Sequence, residues 1–318
     1  MQTRTLGRSG ITVPPLTFGG NVFGWTIDRQ MSFRLLDALA ERGLNFIDTA
    51  DVYSAWVEGN QGGESETIIG EWLKKSGKRE GMIIATKVGK PMGGDKKGLS
   101  AGYIKRAVED SLKRLQTDYI DLYQSHDDDQ SVPLEETLAA FDALIREGKV
   151  RAIGASNYQG PRLAEALRIS EQNGLARYET LQPKYNLYDR RDYEQNLAPV
   201  VTAHGVGVIN FYALASGFLT GKYRAAEDAA KSPRGQSVVD GYLNDRGIRI
   251  LTALDAVSEQ HHVTPTQVAL AWNLSQPGIT APIASATSVE QLDELAKALE
   301  LRLSAEDNRV LDEASAWR

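Results

Sequence analysis

Four ionisable side chains stand where short apolar runs of the sequence give way to polar residues. Asp48 closes the first of these runs, and Tyr53 follows it five residues later. Lys87 and His126 close two further runs. Apolar runs of this kind predict buried strands that end at the edge of a sheet and continue as loops. Because loops on a rigid scaffold carry most functional sites, the four groups are candidates for shared chemistry.

The four residue types suit the delivery of a proton to an oxygen atom. A neighbouring ammonium favours a phenolate, so Lys87 is expected to lower the pKa of Tyr53 from its ordinary value of about 10 and to make it a general acid near neutral pH. Asp48 would balance the lysine charge, and His126 would donate a hydrogen bond to a carbonyl oxygen. The set implies no nucleophile, and the chain has no cysteine. An organic hydride donor is therefore the expected source of electrons.

Composition restricts the class of protein. The 318 residues are 42% hydrophobic and 25% charged, which is typical of a globular protein with a sizeable core. The net charge of −6 and the lack of a basic tract argue against a nucleic-acid partner. The first residues lack the apolar segment of a signal peptide, and no run approaches the roughly 18 apolar residues of a membrane span. We therefore expect a cytoplasmic protein without a membrane partner.

Apolar runs alternate with helix-period segments along most of the chain. A predicted hairpin at 3–13 and a first strand at 16–18 come before the alternation. Strands are predicted at 45–48, 82–86, 119–124, 150–154, 179–182, 206–211 and 281–284, and helices at 31–42, 64–75, 101–115, 133–147, 161–173, 192–204 and 289–299. Eight strand–helix units predict an α/β fold with a closed parallel sheet, a (β/α)8 TIM barrel, as a single domain over residues 1–318. The alternative, an open doubly wound sheet, usually has fewer strands and a glycine-rich phosphate motif after the first.

Two further regions interrupt this rhythm. Residues 222–246 are predicted to form a long polar loop after the seventh strand, and loops of this length are usually functional or disordered. Helices at 247–260 and 265–276 follow, so one of them is extra to the eight units. Ser304 is the expected N-cap of a closing helix.

Three segments, 45–53, 85–89 and 121–126, resemble the catalytic segments of the aldo-keto reductases. Further similarity lies at 63–66, 154–158, 181–187 and 217–223, so that the resemblance covers about residues 3 to 310. It implies a (β/α)8 barrel that binds NADP, with NAD as the alternative, and that reduces aldehydes or ketones to alcohols. It also implies that Asp48, Tyr53, Lys87 and His126 form a catalytic tetrad with the roles given above.

The resemblance also implies a cofactor site. The nicotinamide amide would contact Ser156, Asn157 and Gln182, the nicotinamide ring would stack on Phe211, the pyrophosphate would lie in the loop 214–222 with Leu214, Gly217 and Lys222, and the adenosine would lie near Ser285, Thr287 and Gln291.

This chain departs from the family at the predicted cofactor site. Phe211 stands where the family usually has a tyrosine, and Leu295 stands where it often has an asparagine. Residues 285–292 offer hydroxyl and amide groups where the family typically has a lysine or arginine for the 2′-phosphate, although a phosphate prefers cations. NADP remains the expected cofactor, because residues 231–234 and Arg224 are other sources of positive charge.

Three aromatic residues, Phe23, Trp25 and Trp56, are predicted to contact a small carbonyl substrate at the mouth of the barrel. The run 127–129 beside His126 resembles a cluster for a hard metal ion. A solvated turn is favoured there, because consecutive side chains point in different directions, and no metal is expected. The oligomeric state is expected to be a monomer or a weak homo-oligomer.

Two other functions stay open at this stage. One is a regulatory subunit that uses the cofactor as a redox sensor, as in the potassium-channel β subunits that resemble this family. The other is a metal-dependent barrel hydrolase built on His126 and residues 127–129, which would leave Tyr53 and Lys87 without a role.

Overall fold

Ten strands form two sheets in the computed structural model, which describes residues 2–317. The strands are β1 (Arg4–Thr5) and β2 (Thr12–Val13) in an antiparallel hairpin, and β3 (Thr17–Gly19), β4 (Phe46–Asp48), β5 (Ile83–Val88), β6 (Ile120–Ser125), β7 (Val150–Ser156), β8 (Tyr178–Gln182), β9 (Gly207–Val208) and β10 (Ile283–Ala284) in a parallel sheet. The sheet order is β10-β3-β4-β5-β6-β7-β8-β9.

The parallel sheet closes on itself. Val208 of β9 forms a parallel bridge with Ile279, just before β10. The backbone N–H of Ile283 donates to the carbonyl oxygen of Asn210 at 2.9 Å, which ties β10 to the segment after β9. The predicted (β/α)8 barrel and its N-terminal hairpin are therefore confirmed.

The hairpin is bound to the barrel through buried apolar residues and one arginine. Leu6, Ile11 and Val13 belong to the same buried cluster as Phe46 at the start of β4. The guanidinium of Arg4 donates to the carbonyl oxygen of Ile279 at 2.7 Å and to that of Leu274, in the last turn of α9, at 3.1 Å. A barrel has its active site at the carboxyl ends of its strands, so the hairpin contributes stability to the opposite face.

Eleven α-helices are described. They are α1 (Arg29–Glu41), α2 (Glu64–Ser76), α3 (Ala101–Leu115), α4 (Leu134–Arg146), α5 (Gly160–Asn173), α6 (Ala198–His204), α7 (Gly235–Tyr242), α8 (Asp245–His261), α9 (Pro265–Ser275), α10 (Val289–Ala298) and α11 (Ala305–Ala314). Side-chain caps fix several starts, as at Asp28 and Ser100. Ser304 caps α11 in a capping box with Asp307, as predicted. Among the helices that the structure describes, none has the length and apolarity to cross a membrane.

The region after β9 differs from the prediction. The strand expected at 206–211 covers only Gly207–Val208. The expected long loop at 222–246 contains a 3-10 turn, Ala226–Lys231, and most of its second half is α7. The pattern of α7 is hard to read in sequence because few of its side chains are apolar and buried; one of these, Tyr242, stacks on Phe218 at 5.5 Å between ring centroids.

Close packing of α2 on α3 requires a glycine at one position. A β-carbon at Gly70 would lie 2.1 Å from the carbonyl oxygen of Arg114, which is part of a helix backbone. We expect Gly70→Ala to lower the free energy of unfolding by about 1–3 kcal/mol, because the two helices must move apart. Urea unfolding followed by circular dichroism measures this change.

The matched control is Gly102→Ala in α3, where a β-carbon would meet nothing nearer than a guanidinium nitrogen of Arg106, at 3.9 Å. Alanine at an unobstructed helix position is expected to be neutral or to stabilise by about 0.5–1 kcal/mol. Equal effects of the two substitutions would contradict the packing argument.

Candidate active site

Lys87 lies at the centre of a buried hydrogen-bonded group at the carboxyl ends of the strands. Asp48 is the last residue of β4, Lys87 lies in β5, and Tyr53 lies in the loop after β4. The Lys87 ammonium donates to Asp48 Oδ2 at 2.6 Å, to Tyr53 Oη at 2.9 Å and to the carbonyl oxygen of Thr49 at 2.9 Å. An ammonium has three protons to donate, so these acceptors satisfy it completely.

The ion pair between Lys87 and Asp48 is excluded from solvent and further braced. Burial lowers the pKa of Lys87, but Asp48 and Tyr53 together raise it by more, so the ammonium stays charged at neutral pH. The second carboxylate oxygen of Asp48 accepts from Gln124 at 3.1 Å and from Gln182 at 2.9 Å. Every oxygen of the buried carboxylate is therefore hydrogen-bonded.

The direction of the Tyr53 pKa shift corrects the prediction. Burial raises this pKa by more than the charge of Lys87 lowers it, and Asp48 adds to the increase. The phenol therefore holds its proton at neutral pH. Because Lys87 donates to the phenol oxygen, the phenol proton is available for an acceptor in the adjacent cavity.

His126 joins this group from the end of β6 and is uncharged. Its ring lies 6.0 Å from the ring of Tyr53, in an edge-on arrangement. Burial, with Lys87 and Lys90, lowers the pKa of His126 well below its ordinary value. Its Nδ1 atom is buried without a partner among the described residues, which leaves Nε2 as the ring nitrogen that reaches the cavity. A neutral imidazole can donate one hydrogen bond from that atom.

The group opens into a cavity of about 1000 Å³ at the mouth of the barrel. Asp48, Tyr53 and His126 lie on its wall, and Lys87 lies behind them. The structure places all ten predicted cofactor residues on the same wall: Ser156, Asn157, Gln182, Phe211, Leu214, Gly217, Lys222, Ser285, Thr287 and Gln291.

Two amide oxygens beside the tetrad suit a carboxamide ligand. The side-chain nitrogen of Asn157 donates to the carbonyl oxygen of His126 at 2.9 Å, and that of Gln182 donates to Asp48. The side-chain oxygens of both amides accept no hydrogen bond from residues 2–317 and are not sealed from the cavity. Ser156 donates to the backbone oxygen of Gln182 at 3.0 Å. These two free acceptors therefore fit the NH2 group of a nicotinamide amide.

The loop 214–222 approaches the cavity with its backbone. Gly217 has a φ of +94°, and a β-carbon there would lie 3.4 Å from the Lys222 side chain. Lys222 lies on the cavity wall. Arg224, expected as another source of charge, is instead held by Asp255 through two hydrogen bonds of 2.7 and 2.8 Å, and it is not on the cavity wall. This corrects the expectation for Arg224.

The predicted substrate residues separate into two groups. Trp25 and Trp56 line the cavity with ring centroids 5.4 Å apart, and Trp56 lies 5.9 Å from Tyr53. Phe23 is fully buried and stacks on Phe18 at 5.6 Å, so the structure does not place it on the cavity wall. The reason is that the chain turns inward after the 3-10 turn Gly20–Val22, which the sequence pattern does not reveal.

The three consecutive aspartates near His126 have different partners. Asp127 contacts Lys90 at 3.4 Å and Asn157. Asp128 binds Arg162, and Asp129 accepts from the backbone N–H groups of Leu99 and Ser131. Within residues 2–317 there is no group of three or more histidine, aspartate or glutamate side chains that could hold a metal ion.

A sequence model of the Aldo/keto reductase family matches residues 15–316, which contain all eight barrel strands and the tetrad. The chain belongs to the aldo/keto reductase family. Members of this family are oxidoreductases that generally use nicotinamide cofactors. The membership is consistent with the barrel and with the free amide oxygens beside Tyr53.

Relatives of this aldo/keto reductase differ in their described roles. One is an uncharacterized oxidoreductase, YrpG, of Bacillus subtilis, 35% identical over 98% of this chain and 95% of the relative. A probable voltage-gated potassium channel subunit beta of Arabidopsis thaliana is 34% identical over 95% of this chain and 92% of its own. The aldo-keto reductase AFTS1 of Alternaria alternata is 33% identical over 98% of this chain and 91% of its own.

Asp51 has no role in the sequence analysis, and Arg234 enters it only as one of residues 231–234, a source of positive charge for the cofactor. Asp51 is 1% exposed, and neither of its carboxyl oxygens has a hydrogen-bond partner among the described residues. Burial and the nearby Glu66 raise the pKa of Asp51 to about 8. In the sequence, Asp51 is one of several polar residues of a loop, and no pattern indicates that it is buried. Arg234 lines the cavity and is considered below.

The pKa of Asp51 predicts a pH-dependent stability. The folded state keeps a proton on Asp51 between about pH 4 and pH 8, whereas the unfolded chain has released it. The free energy of unfolding therefore decreases as pH rises through this window, and Asp51→Asn removes that decrease. We expect the stability of Asp51→Asn relative to the unmodified chain to increase by about 1–4 kcal/mol from pH 5 to pH 8.5, measured by urea unfolding.

Asp95→Asn is the control, because the Asp95 side chain is 88% exposed. Its relative stability is expected to change little with pH. A pH-independent difference between Asp51→Asn and the unmodified chain would show that Asp51 is ionised in the folded protein.

Proposed function

We propose that the protein is an NAD(P)H-dependent reductase of aldehydes and ketones in which Tyr53 is the general acid. The observation that carries this proposal is the hydrogen bond of 2.9 Å from the buried Lys87 ammonium to Tyr53 Oη. It leaves a protonated phenol at the cavity with a positive charge behind its oxygen. That arrangement suits a group that must give up a proton and then carry negative charge.

The cofactor, when bound, supplies the hydride that reduces the carbonyl carbon. The side-chain oxygens of Asn157 and Gln182 would accept from its carboxamide, and Phe211 would lie against its ring. The loop 214–222 would hold the pyrophosphate. Ser285, Thr287 and Gln291 are the proposed contacts of the adenosine.

The residues of this chain act on the substrate oxygen. Tyr53 and the Nε2 atom of His126 both donate to the carbonyl oxygen and orient it. The proton of Tyr53 Oη then moves to that oxygen, which gives the alcohol. Lys87 stabilises the phenolate that remains, since its ammonium already donates to the same oxygen. Asp48 holds the ammonium in place.

NADP is the proposed cofactor, and NAD is the alternative. Lys222 lies on the cavity wall and forms no ion pair within residues 2–317, so its charge is available for a phosphate. Lys231 is held by Asp228 at 2.6 Å, although it also lies on the wall. Residues 285–295 contain no lysine or arginine, which favours the alternative.

A second candidate function is a regulatory subunit that binds the cofactor without physiological turnover. The similarity to a probable potassium channel subunit beta supports it. Such a subunit would bind the same cofactor through the same cavity. Turnover of simple aldehydes at rates that depend on Tyr53 would favour the reductase.

The first test of the reductase is Tyr53→Phe. We expect kcat for aldehyde reduction to fall by about 100- to 10,000-fold, because the proton donor is lost. Cofactor binding, measured by quenching of tryptophan fluorescence, should persist. The control is Tyr119→Phe, since Tyr119 lies just before β6, at the other end of the barrel. Equal rates for Tyr53→Phe and the unmodified chain would overturn the assigned role.

A second test concerns the choice of cofactor. Titration with NADPH and NADH is expected to show tighter binding of NADPH. Lys222→Met is expected to weaken the binding of both cofactors by about 10-fold, because the loop 214–222 is proposed to hold the pyrophosphate that they share. Lys96→Met, at an exposed position away from the cavity, should leave both affinities unchanged. Tighter binding of NADH by the unmodified chain would establish the alternative.

A further inference from the structure

Arg234 extends into the cavity without a counter-charge. It stands at the start of α7, and its guanidinium carbon lies 4.4 Å from the centroid of the Trp25 ring. The residue is half-buried on the cavity wall. Within residues 2–317 no carboxylate lies at ion-pair distance from its guanidinium, and none of its five N–H groups has an acceptor.

Two other arginines with largely buried side chains are paired. Arg114 binds Glu66 at 2.6 Å, and Arg162 binds Asp128 at 3.1 Å. Partial burial of a charged group without such a partner costs free energy. Burial lowers the pKa of Arg234, as expected for a cation with too little compensating charge. The chain has more acidic than basic residues, so the missing partner of Arg234 does not reflect a shortage of carboxylates.

The position of Arg234 is on the substrate side of the cavity. Its guanidinium covers Trp25, Trp25 contacts Trp56, and Trp56 contacts Tyr53, with successive distances of 4.4, 5.4 and 5.9 Å. Arg234 is also electrostatically coupled to Tyr53 itself. A molecule that presents its carbonyl oxygen to Tyr53 would therefore extend past the two indole rings towards the guanidinium.

Three lysines also line the cavity, Lys90, Lys222 and Lys231, and two of them are ion-paired. Lys90 lies 3.4 Å from Asp127. Lys231 is held by Asp228 at 2.6 Å, and the unpaired Lys222 belongs to the loop 214–222 that is proposed to hold the cofactor. Arg234 is thus the cation that remains for a charge on the substrate.

We propose that Arg234 is a specificity-determining residue that binds a carboxylate on the substrate, so that the preferred substrates are aldehydes or ketones with a carboxylate at their other end. The inference depends on the reductase proposed above. A guanidinium offers a planar pair of donors that matches a carboxylate, and one positive charge neutralises one carboxylate. The rings of Trp25 and Trp56 supply an apolar wall for the part that joins the two groups.

The experiment compares acids with their neutral esters. The probes are 4-carboxybenzaldehyde with methyl 4-formylbenzoate, and unbranched ω-oxo acids of four to six carbons with their methyl esters. For each pair, kcat/KM is measured with the full chain at a saturating concentration of the cofactor that it binds. We expect the acid-to-ester ratio to exceed one and to fall by about 10- to 100-fold in Arg234→Met.

Two further variants sharpen the comparison. Arg234→Lys keeps the charge but loses the planar fork, so its ratio should lie between those of the unmodified chain and Arg234→Met. Arg168→Met, which removes an exposed cation of α5, should leave the ratio unchanged. Methionine retains an apolar contact with Trp25, and thermal unfolding checks that each variant is folded.

A binding measurement separates this inference from the proposed function. Benzoate should quench tryptophan fluorescence of the unmodified chain in the presence of cofactor, and Arg234→Met should lose that effect. If no aldehyde is reduced while benzoate binding still depends on Arg234, the reductase fails and the carboxylate site stands. An acid-to-ester ratio that is unchanged in Arg234→Met overturns the inference. The inference is also overturned if Arg234→Met loses cofactor binding and its kcat/KM falls equally for acid and ester.

Discussion

The buried ammonium of Lys87 is the interaction on which the rest of the site depends. A charge removed from water is tolerated only when acceptors replace its solvation, and Asp48, Tyr53 and a backbone carbonyl supply all three. Asp48 in turn takes hydrogen bonds from glutamines of β6 and β8. One ion pair thereby links four strands of the barrel, β4, β5, β6 and β8, and sets the spacing of the groups that face the cavity.

This pairing also determines the charge state of the site. Lys87 and Asp48 neutralise each other, His126 is uncharged, and Tyr53 holds its proton. The tetrad therefore presents hydrogen-bond donors to the cavity without a net charge. Arg234 differs from the tetrad, because its charge has no carboxylate partner within the described chain. In the proposed reaction, a neutral tetrad beside an unpaired cation would separate the selection of a substrate from its reduction.

Much of the fold and the tetrad could be predicted because both follow from local patterns. Asp48, Lys87 and His126 each end an apolar run, and parallel strands present their carboxyl ends at one edge. The burial of a loop residue does not follow from such local patterns. The direction of the Tyr53 pKa shift was predicted wrongly because it depends on how deeply a loop folds inward, and the placement of Phe23 failed for the same reason. Arg234 lies in a polar segment whose short helix has too few buried residues to show a period.

Behind the tetrad lie two buried carboxyl groups, Glu66 and Asp51, but only one arginine, Arg114. This difference in charge affects Lys87. Glu66 takes Arg114 at 2.6 Å and also accepts from Thr86, so Asp51 is left without a cation and keeps its proton up to about pH 8. An ionised Asp51 would attract the Lys87 ammonium, to which it is electrostatically coupled. While Asp51 is neutral, the attraction of Lys87 is directed to Asp48 and to the phenol oxygen. The unpaired carboxyl group therefore costs stability above neutral pH, but it leaves the positive charge of Lys87 for the phenolate of Tyr53 in the proposed reaction.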